Sequence, residues 1–183
     1  MKRVHLEILE ELKEVAEQLD DSQIKSSMVT LSKANRIFVA GEGRSGLMGK
    51  AFAMRLMHAG YHVFVKGETV TPSIQEGDVL VAISGSGSTT SILLTAEQAA
   101  KVGAKILLVT TNENSVIGET AHEVIRVPAA TKSRQPVETA TMQPMGNQFD
   151  QSVHILLDAI VISLIQGRDN INDYMKEQHA NLD

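Results

Sequence analysis

Between residues 36 and 127, short apolar runs alternate with segments of helical periodicity. Arg36-Ile37-Phe38-Val39-Ala40, ending in Gly41, reads as the first strand. His62–Val65, Asp78–Ser84, Lys105–Thr111 and Glu123–Val127 read as the second to fifth. Helices are expected at Gly46–Ala59, with Leu47, Ala51, Met54 and Met57 inward, at Thr89–Val102, and briefly near Ser115–Ala121. Strands that are apolar on both faces require cover on both sides, as in parallel sheets. A strict β–α alternation generates right-handed βαβ units. The expected architecture is therefore a three-layer α/β sandwich around a five-stranded parallel sheet.

The flanks are helical. Ile8, Leu12, Val15 and Leu19 recur at helical spacing, and Ile24, Met28 and Leu31 continue the stripe past a break near Asp20-Asp21-Ser22. This N-terminal extension, residues 1–34, is read either as a subunit contact or as packing on its own domain. The α/β core spans 35–166. It includes a polar loop at 128–147 and a strong amphipathic helix carrying Phe149, Val153, Leu156, Leu157, Ile160, Val161 and Leu164. Residues 167–183 form a last short helix and a tail. One domain is expected over the 183 residues.

Composition removes several function classes. A net charge of −5 lacks the broad basic footprint of a nucleic-acid binder, and six aromatic residues with no Trp leave few base-stacking platforms. The absence of cysteine excludes disulfides, thiolate catalysis and Cys-type zinc sites, and points to a reducing, cytoplasmic setting. The opening MKRVHLEILEELKE carries acidic residues every few positions, unlike a signal peptide. No apolar run approaches the roughly 20 residues of a membrane span, so no membrane partner is expected.

In open α/β sheets ligands bind beyond the C-terminal strand ends. After the third strand comes Ser84-Gly85-Ser86-Gly87-Ser88-Thr89-Thr90, running into a helix. Glycines allow a tight backbone turn, helix-start amides and the dipole attract an anion, and four hydroxyls add donors. No Lys follows the last glycine, so the loop suits a phosphomonoester better than a triphosphate with magnesium. The alternative is a plain Gly/Ser turn with Ser88 or Thr89 as N-cap. After the first strand comes Gly41-Glu42-Gly43-Arg44-Ser45-Gly46, which matches the dinucleotide pattern G-x-G-x-x-G, with Glu68 placed to hold a ribose. That alternative implies a nicotinamide-dependent oxidoreductase, against which stands the shortness of the remaining chain.

The pair of loops resembles the sugar isomerase (SIS) domain, whose fold is flavodoxin-like. The segment GEGRSGLMGKAFAMRLMHAG beginning at Gly41 is similar to the 6-phospho-3-hexuloisomerase family. So are Gly67-Glu68-Thr69-Val70-Thr71-Pro72, Gln143-Pro144-Met145-Gly146 and His179-Ala180-Asn181-Leu182. Two positions depart from the family pattern, which usually has Ala where Glu42 stands and Glu where Asp150 stands. The resemblance implies interconversion of D-arabino-hex-3-ulose 6-phosphate and fructose 6-phosphate, with no metal and no cofactor. It also implies a homotetramer, and a functional link to the hexulose-phosphate synthase of formaldehyde fixation or detoxification. A sensor module that binds sugar phosphate without turnover is a third class.

Moving a carbonyl from C3 to C2 takes a base near two adjacent carbons and donors for the oxyanion. Asp150 is the carboxylate carried over from the family; the alternative is a first-turn acid favoured by the helix dipole. His58 and His179 are candidate assistants, and their alternatives are a packed or capping histidine and a frayed tail. Glu68, Thr69 and Thr71 either line the sugar pocket or form a polar loop. Arg44 and Ser45 are read as substrate contacts, Arg44 otherwise as a surface residue. Lys132 and Arg134 are read as solvated.

Overall fold

A computed structural model describes residues 1–134 and 138–182; three residues of the polar loop and residue 183 of the expected tail lie outside the described residues. The chain runs α1 (Lys2–Glu17), α2 (Asp21–Lys33), β1 (Ile37–Gly41), α3 (Gly43–His58), β2 (Val63–Val65), β3 (Val79–Ile83), α4 (Thr90–Lys101), β4 (Lys105–Thr110), β5 (Glu123–Arg126), α5 (Asn147–Ile165) and α6 (Ile171–Glu177). All strand pairs are parallel and the order is β2-β1-β3-β4-β5. This is the doubly wound flavodoxin-like order.

Because side chains alternate across a strand, each strand feeds two cores. Ile37 and Val39 of β1, Val79, Val81 and Ile83 of β3, and Leu107 and Val109 of β4 meet Phe52, Leu56, Phe149, Val153 and Leu157. Phe38, Ala40, Leu80, Ala82, Ile106 and Leu108 meet Ile92, Ala96 and Ala99 of α4. The three layers follow from that division. The break between α1 and α2 falls at Asp20, whose Oδ1 accepts the Ser22 N–H at 2.7 Å, an N-cap.

Three expectations need correction, and one open alternative is decided. α3 turns Gly49, Phe52, Ala53 and Leu56 inward, while Leu47, Met54 and Met57 are exposed. Its phase is set by glycine: a Cβ on Gly49 would lie 2.9 Å from Val39 Cγ1, and one on Gly46 2.6 Å from the Gly41 carbonyl oxygen. No helix forms at Ser115–Ala121. That segment is a run of turns, in which the Ile117 N–H donates to the Gly87 carbonyl (3.0 Å). Leu12 and Val15 of the N-terminal stripe are buried in the chain's own core and Leu19 packs against it, so that part of the stripe is not a free contact face. Finally, α5 is by length and composition apolar enough to cross a membrane. Half of it is buried in the domain, where Val153, Leu156, Leu157 and Ile160 face the sheet.

Candidate active site

Three helices begin at the C-terminal edge of the sheet. α3 opens at Gly43, α4 at Thr90 behind the N-cap Thr89, and α5 at Asn147. The first amides of a helix have no intrahelical partner, and the dipole adds positive potential there. The three starts enclose a cleft of 370 Å³. It is lined by Gly43, Arg44 and Ser45, by Gly85, Ser86 and Thr89, by Phe149 and Asp150, and by residues 131–133 with Met145 and Gly146.

The Ser84–Thr90 loop is pinned from every side. Ser84 is buried, and its hydroxyl lies 2.9 Å from that of Thr89. The Gly87 N–H donates to the Ser84 carbonyl, and the Ser88 N–H and hydroxyl both donate to Ser86 Oγ. Thr111 donates to the Gly85 carbonyl through its N–H (3.1 Å) and its hydroxyl (2.8 Å). Gly87 has φ +64°, and a Cβ there would lie 2.0 Å from Ser115 Oγ, so glycine is required. The result is a hydrogen-bonded loop that presents hydroxyls and helix-start amides to the cleft, an arrangement suited to an anion.

Asp150 sits one turn into α5, its side chain 12% exposed. Oδ1 accepts the Ser45 hydroxyl at 3.0 Å and Oδ2 pairs with Arg44 Nε at 3.0 Å. Arg44 also donates to Asn147 Oδ1. Burial pushes the Asp150 carboxyl up, against the Ser45 hydrogen bond and the Arg44 charge, which pull it down; burial prevails. Gly146 stands where the parts meet: the position its Cβ would take is 3.7 Å from the Lys132 N, 3.8 Å from Arg44 Nη2 and 3.9 Å from Asp150 Oδ2, ordinary contact distances.

Of the sequence-stipulated residues, Arg44, Ser45, Gly85, Ser86, Thr89 and Asp150 line this one cleft, with Ser84 behind the loop. Ser88 faces the adjoining polar cleft with Ser86, Asn112 and Arg126. Glu68, Thr69 and Thr71 lie elsewhere in the described chain. Glu68 pairs with Lys50 at 2.7 Å, Thr71 donates to the Val65 carbonyl, and both line a separate groove with Phe38 and Leu94, leaving Thr69 exposed between them. His58 and His179 come together, rings stacked with centroids 5.5 Å apart. Burial, then His179, then Arg55, lower the His58 pKa. The pair stands at the far end of α3, fourteen residues beyond Arg44. At 1.5 Å per residue that is about 21 Å, so within one chain neither histidine reaches Asp150. Sequence reading missed Lys132, which lines the cleft instead of being merely solvated, and Gly146, Asn147 and Phe149. The glycine directly before an amphipathic helix, in QPMGN, was the available signal. Arg134 is exposed, and its guanidinium also donates to the Gln143 carbonyl. Among the described residues no group of three His, Asp or Glu is arranged to hold a metal ion.

The dinucleotide alternative loses its basis here. Glu68, its ribose-holding residue, pairs with Lys50 at 2.7 Å and lines a separate groove, outside the cleft at Gly43–Ser45.

Comparison with known proteins identifies the family. The SIS domain family model matches residues 30–149. The 3-hexulose-6-phosphate isomerase of Bacillus subtilis is 37% identical over 97% of this chain and 96% of its own length. That of Mycobacterium gastri is 36% identical, over 96% and 88%. The crystal structure of a Methanococcus jannaschii protein, for which a 3-hexulose-6-phosphate isomerase function was inferred, superimposes with a TM-score of 0.83 at 29% identity. That match covers 100% of this chain and 99% of the other. The chain therefore belongs to the SIS domain family, in the branch that holds the 3-hexulose-6-phosphate isomerases.

Proposed function

We infer that the protein is a 6-phospho-3-hexuloisomerase that interconverts D-arabino-hex-3-ulose 6-phosphate and D-fructose 6-phosphate. The observation that carries this reading is the pairing, in one cleft, of a hydroxyl-lined anion cradle with the buried carboxylate of Asp150. The phosphate occupies the Ser84–Thr90 loop. Asp150 takes the C2 proton of the 3-ketose, the electron pair moves to the C3 oxygen as an enediolate, and the oxyanion is stabilised by cationic and N–H donors. A proton returns to C3 while the O2 proton passes to O3, giving the 2-ketose with a hydroxyl at C3. Carbon, hydrogen and electron counts are unchanged, so the step itself consumes no cofactor.

The same reading extends to assembly and setting. Leu47, Met54 and Met57 of α3 and Ile155 and Ile162 of α5 are exposed apolar residues on two neighbouring helices, which favours a homo-oligomer, a tetramer by family resemblance. In such an assembly His58 and His179 act from a neighbouring chain, since their own chain keeps them from Asp150. The chain lacks cysteine, consistent with a cytoplasmic location. Its place is beside a synthase that supplies the 3-ketose from formaldehyde and ribulose 5-phosphate. The test is a coupled assay for fructose 6-phosphate on synthase-made substrate with no added cofactor. Turnover is expected. Dependence on nicotinamide would point to the oxidoreductase, and saturable binding without turnover to a sensor.

A further inference from the structure

We propose that Arg44 is a substrate-operated gate on Asp150: in the free enzyme its guanidinium holds the carboxylate, and the phosphate of the bound sugar draws it away. The proposal rests on reading Asp150 as the base, and it adds the step that makes the base available.

The free site is arranged for holding. Arg44 Nε lies 3.0 Å from Asp150 Oδ2, Ser45 Oγ lies 3.0 Å from Oδ1, and Asn147 accepts from the far side of the same guanidinium. Both carboxylate oxygens are therefore engaged. An adjacent cation favours the charged carboxylate and lowers its pKa by about 1–3 units, the opposite of what a proton-abstracting group needs. A permanent pair would weaken the base throughout the catalytic cycle.

The geometry also supplies a way out. The Asp150 side chain is 12% exposed and that of Arg44 46%. The carboxylate is thus the buried member and the guanidinium the solvent-side one, with a free path toward the cleft. The destination is in the same cleft, where Gly85, Ser86 and Thr89 form the anion cradle. A phosphomonoester carries close to two negative charges near neutral pH. Its oxygens match the guanidinium fork in two places at once, so it competes well against one carboxylate oxygen. The other charged groups lining the cleft are Lys132, from the loop after β5, and Glu42, at the start of α3. Glu42 is already turned toward Ser91 (2.7 Å) and Lys66 (3.6 Å). Arg44 is consequently the cation whose departure changes Asp150 most. Once it leaves, burial acts on the carboxylate against the Ser45 hydrogen bond alone, and basicity rises when the substrate is seated.

The test titrates the Asp150 carboxyl by carbon NMR, assigned with Asp150→Asn, in the free protein and in protein saturated with inorganic phosphate or fructose 6-phosphate. The Arg44 Nε–H resonance is followed in the same samples. The expected result is a rise of one pH unit or more in the Asp150 midpoint on phosphate binding, together with a displaced Arg44 signal. In Arg44→Gln the midpoint is already high and moves little with phosphate. An equal rise in Arg44→Gln overturns the proposal, because the phosphate's own charge then explains it. So does an Arg44 signal that ignores phosphate, which the wild-type protein reports even if the variant fails to fold. Turnover is measured separately. An active Asp150→Asn enzyme overturns the base assignment while leaving the NMR result to judge the gate.

Discussion

Asp150 is held where two opposing effects act on one carboxyl. Burial raises its pKa, and Ser45 and Arg44 restrain the rise. A base works only when deprotonated, so activity carried by Asp150 must fall as pH drops through this raised value. The acid limb of kcat/KM is expected above the ordinary carboxylate pKa of about 3.9, and a limb at or below it would remove Asp150 from the role. Asp150→Asn should lose about 10²–10⁴-fold in kcat with little change in substrate affinity, and Asp150→Glu should keep much of the rate. If Asp150→Asn stays near wild type while His58→Ala is inactive, the base lies elsewhere. The cradle is tested by Ser86→Ala combined with Thr89→Ala. Hydrogen bonds to a charged group contribute roughly 1.5–3 kcal/mol each, so KM should rise tenfold or more with the fold intact, and an unchanged KM would contradict the phosphate site. The cradle was legible in the sequence because its glycines and hydroxyls are contiguous. The contact between Ser45 and Asp150 was not, because it joins residues 105 positions apart, and only the packing of α3 on α5 brings them together.

At the scale of elements, α1 reaches the active-site loop through one carboxylate. Glu11 accepts from the Thr141 hydroxyl, from the Met142 N–H (2.8 Å) and from Gln143 Nε2 (2.9 Å). Burial raises its pKa, but these hydrogen bonds outweigh it and the net shift is downward. A depressed carboxylate contributes stability above its unfolded value and loses it as pH falls through the folded one. Glu11→Ala should therefore destabilise at neutral pH by about 2 kcal/mol, or about 4–8 °C in Tm for a domain of this length. The gap between variant and wild type should narrow as pH drops below about 4. Amide exchange should rise across residues 138–146, ahead of Asp150; unchanged protection there would mean that Glu11 does not hold the loop. The sequence announced most elements because apolar strands and amphipathic helices have distinct periods. It misled where small residues set the packing. In α3 the large apolar Leu47 and Met54 suggested the inner face, whereas Gly46 and Gly49 permit the close approach that fixes the phase. At Ser115–Ala121 the expected helix is a run of turns, tied to the loop after β3 by the Ile117 N–H on the Gly87 carbonyl, a contact between residues distant in sequence.

Considered as a whole molecule, the protein has its carboxylate at one end of α3 and its stacked histidine pair at the other. Exposed Leu47, Met54, Ile155 and Ile162 lie on the two helices between them. Light scattering at micromolar concentration is expected to give an oligomer, and a monomer would remove the basis for a site shared between chains. Sharing itself is read by mixing inactive Asp150→Asn and His58→Ala chains: hybrids should regain part of the activity, which two defects in one independent site cannot restore. The chemistry has its own signature. Fructose 6-phosphate incubated with the enzyme in D2O, without added cofactor and followed by proton NMR, should lose its C3–H signal as Asp150 passes the proton through an enediolate in a solvent-open cleft. The signal should persist with Asp150→Asn. Retention of the C3 proton while the wild-type enzyme equilibrates the two ketoses, or exchange at wild-type rate in Asp150→Asn, would contradict proton transfer by this carboxylate.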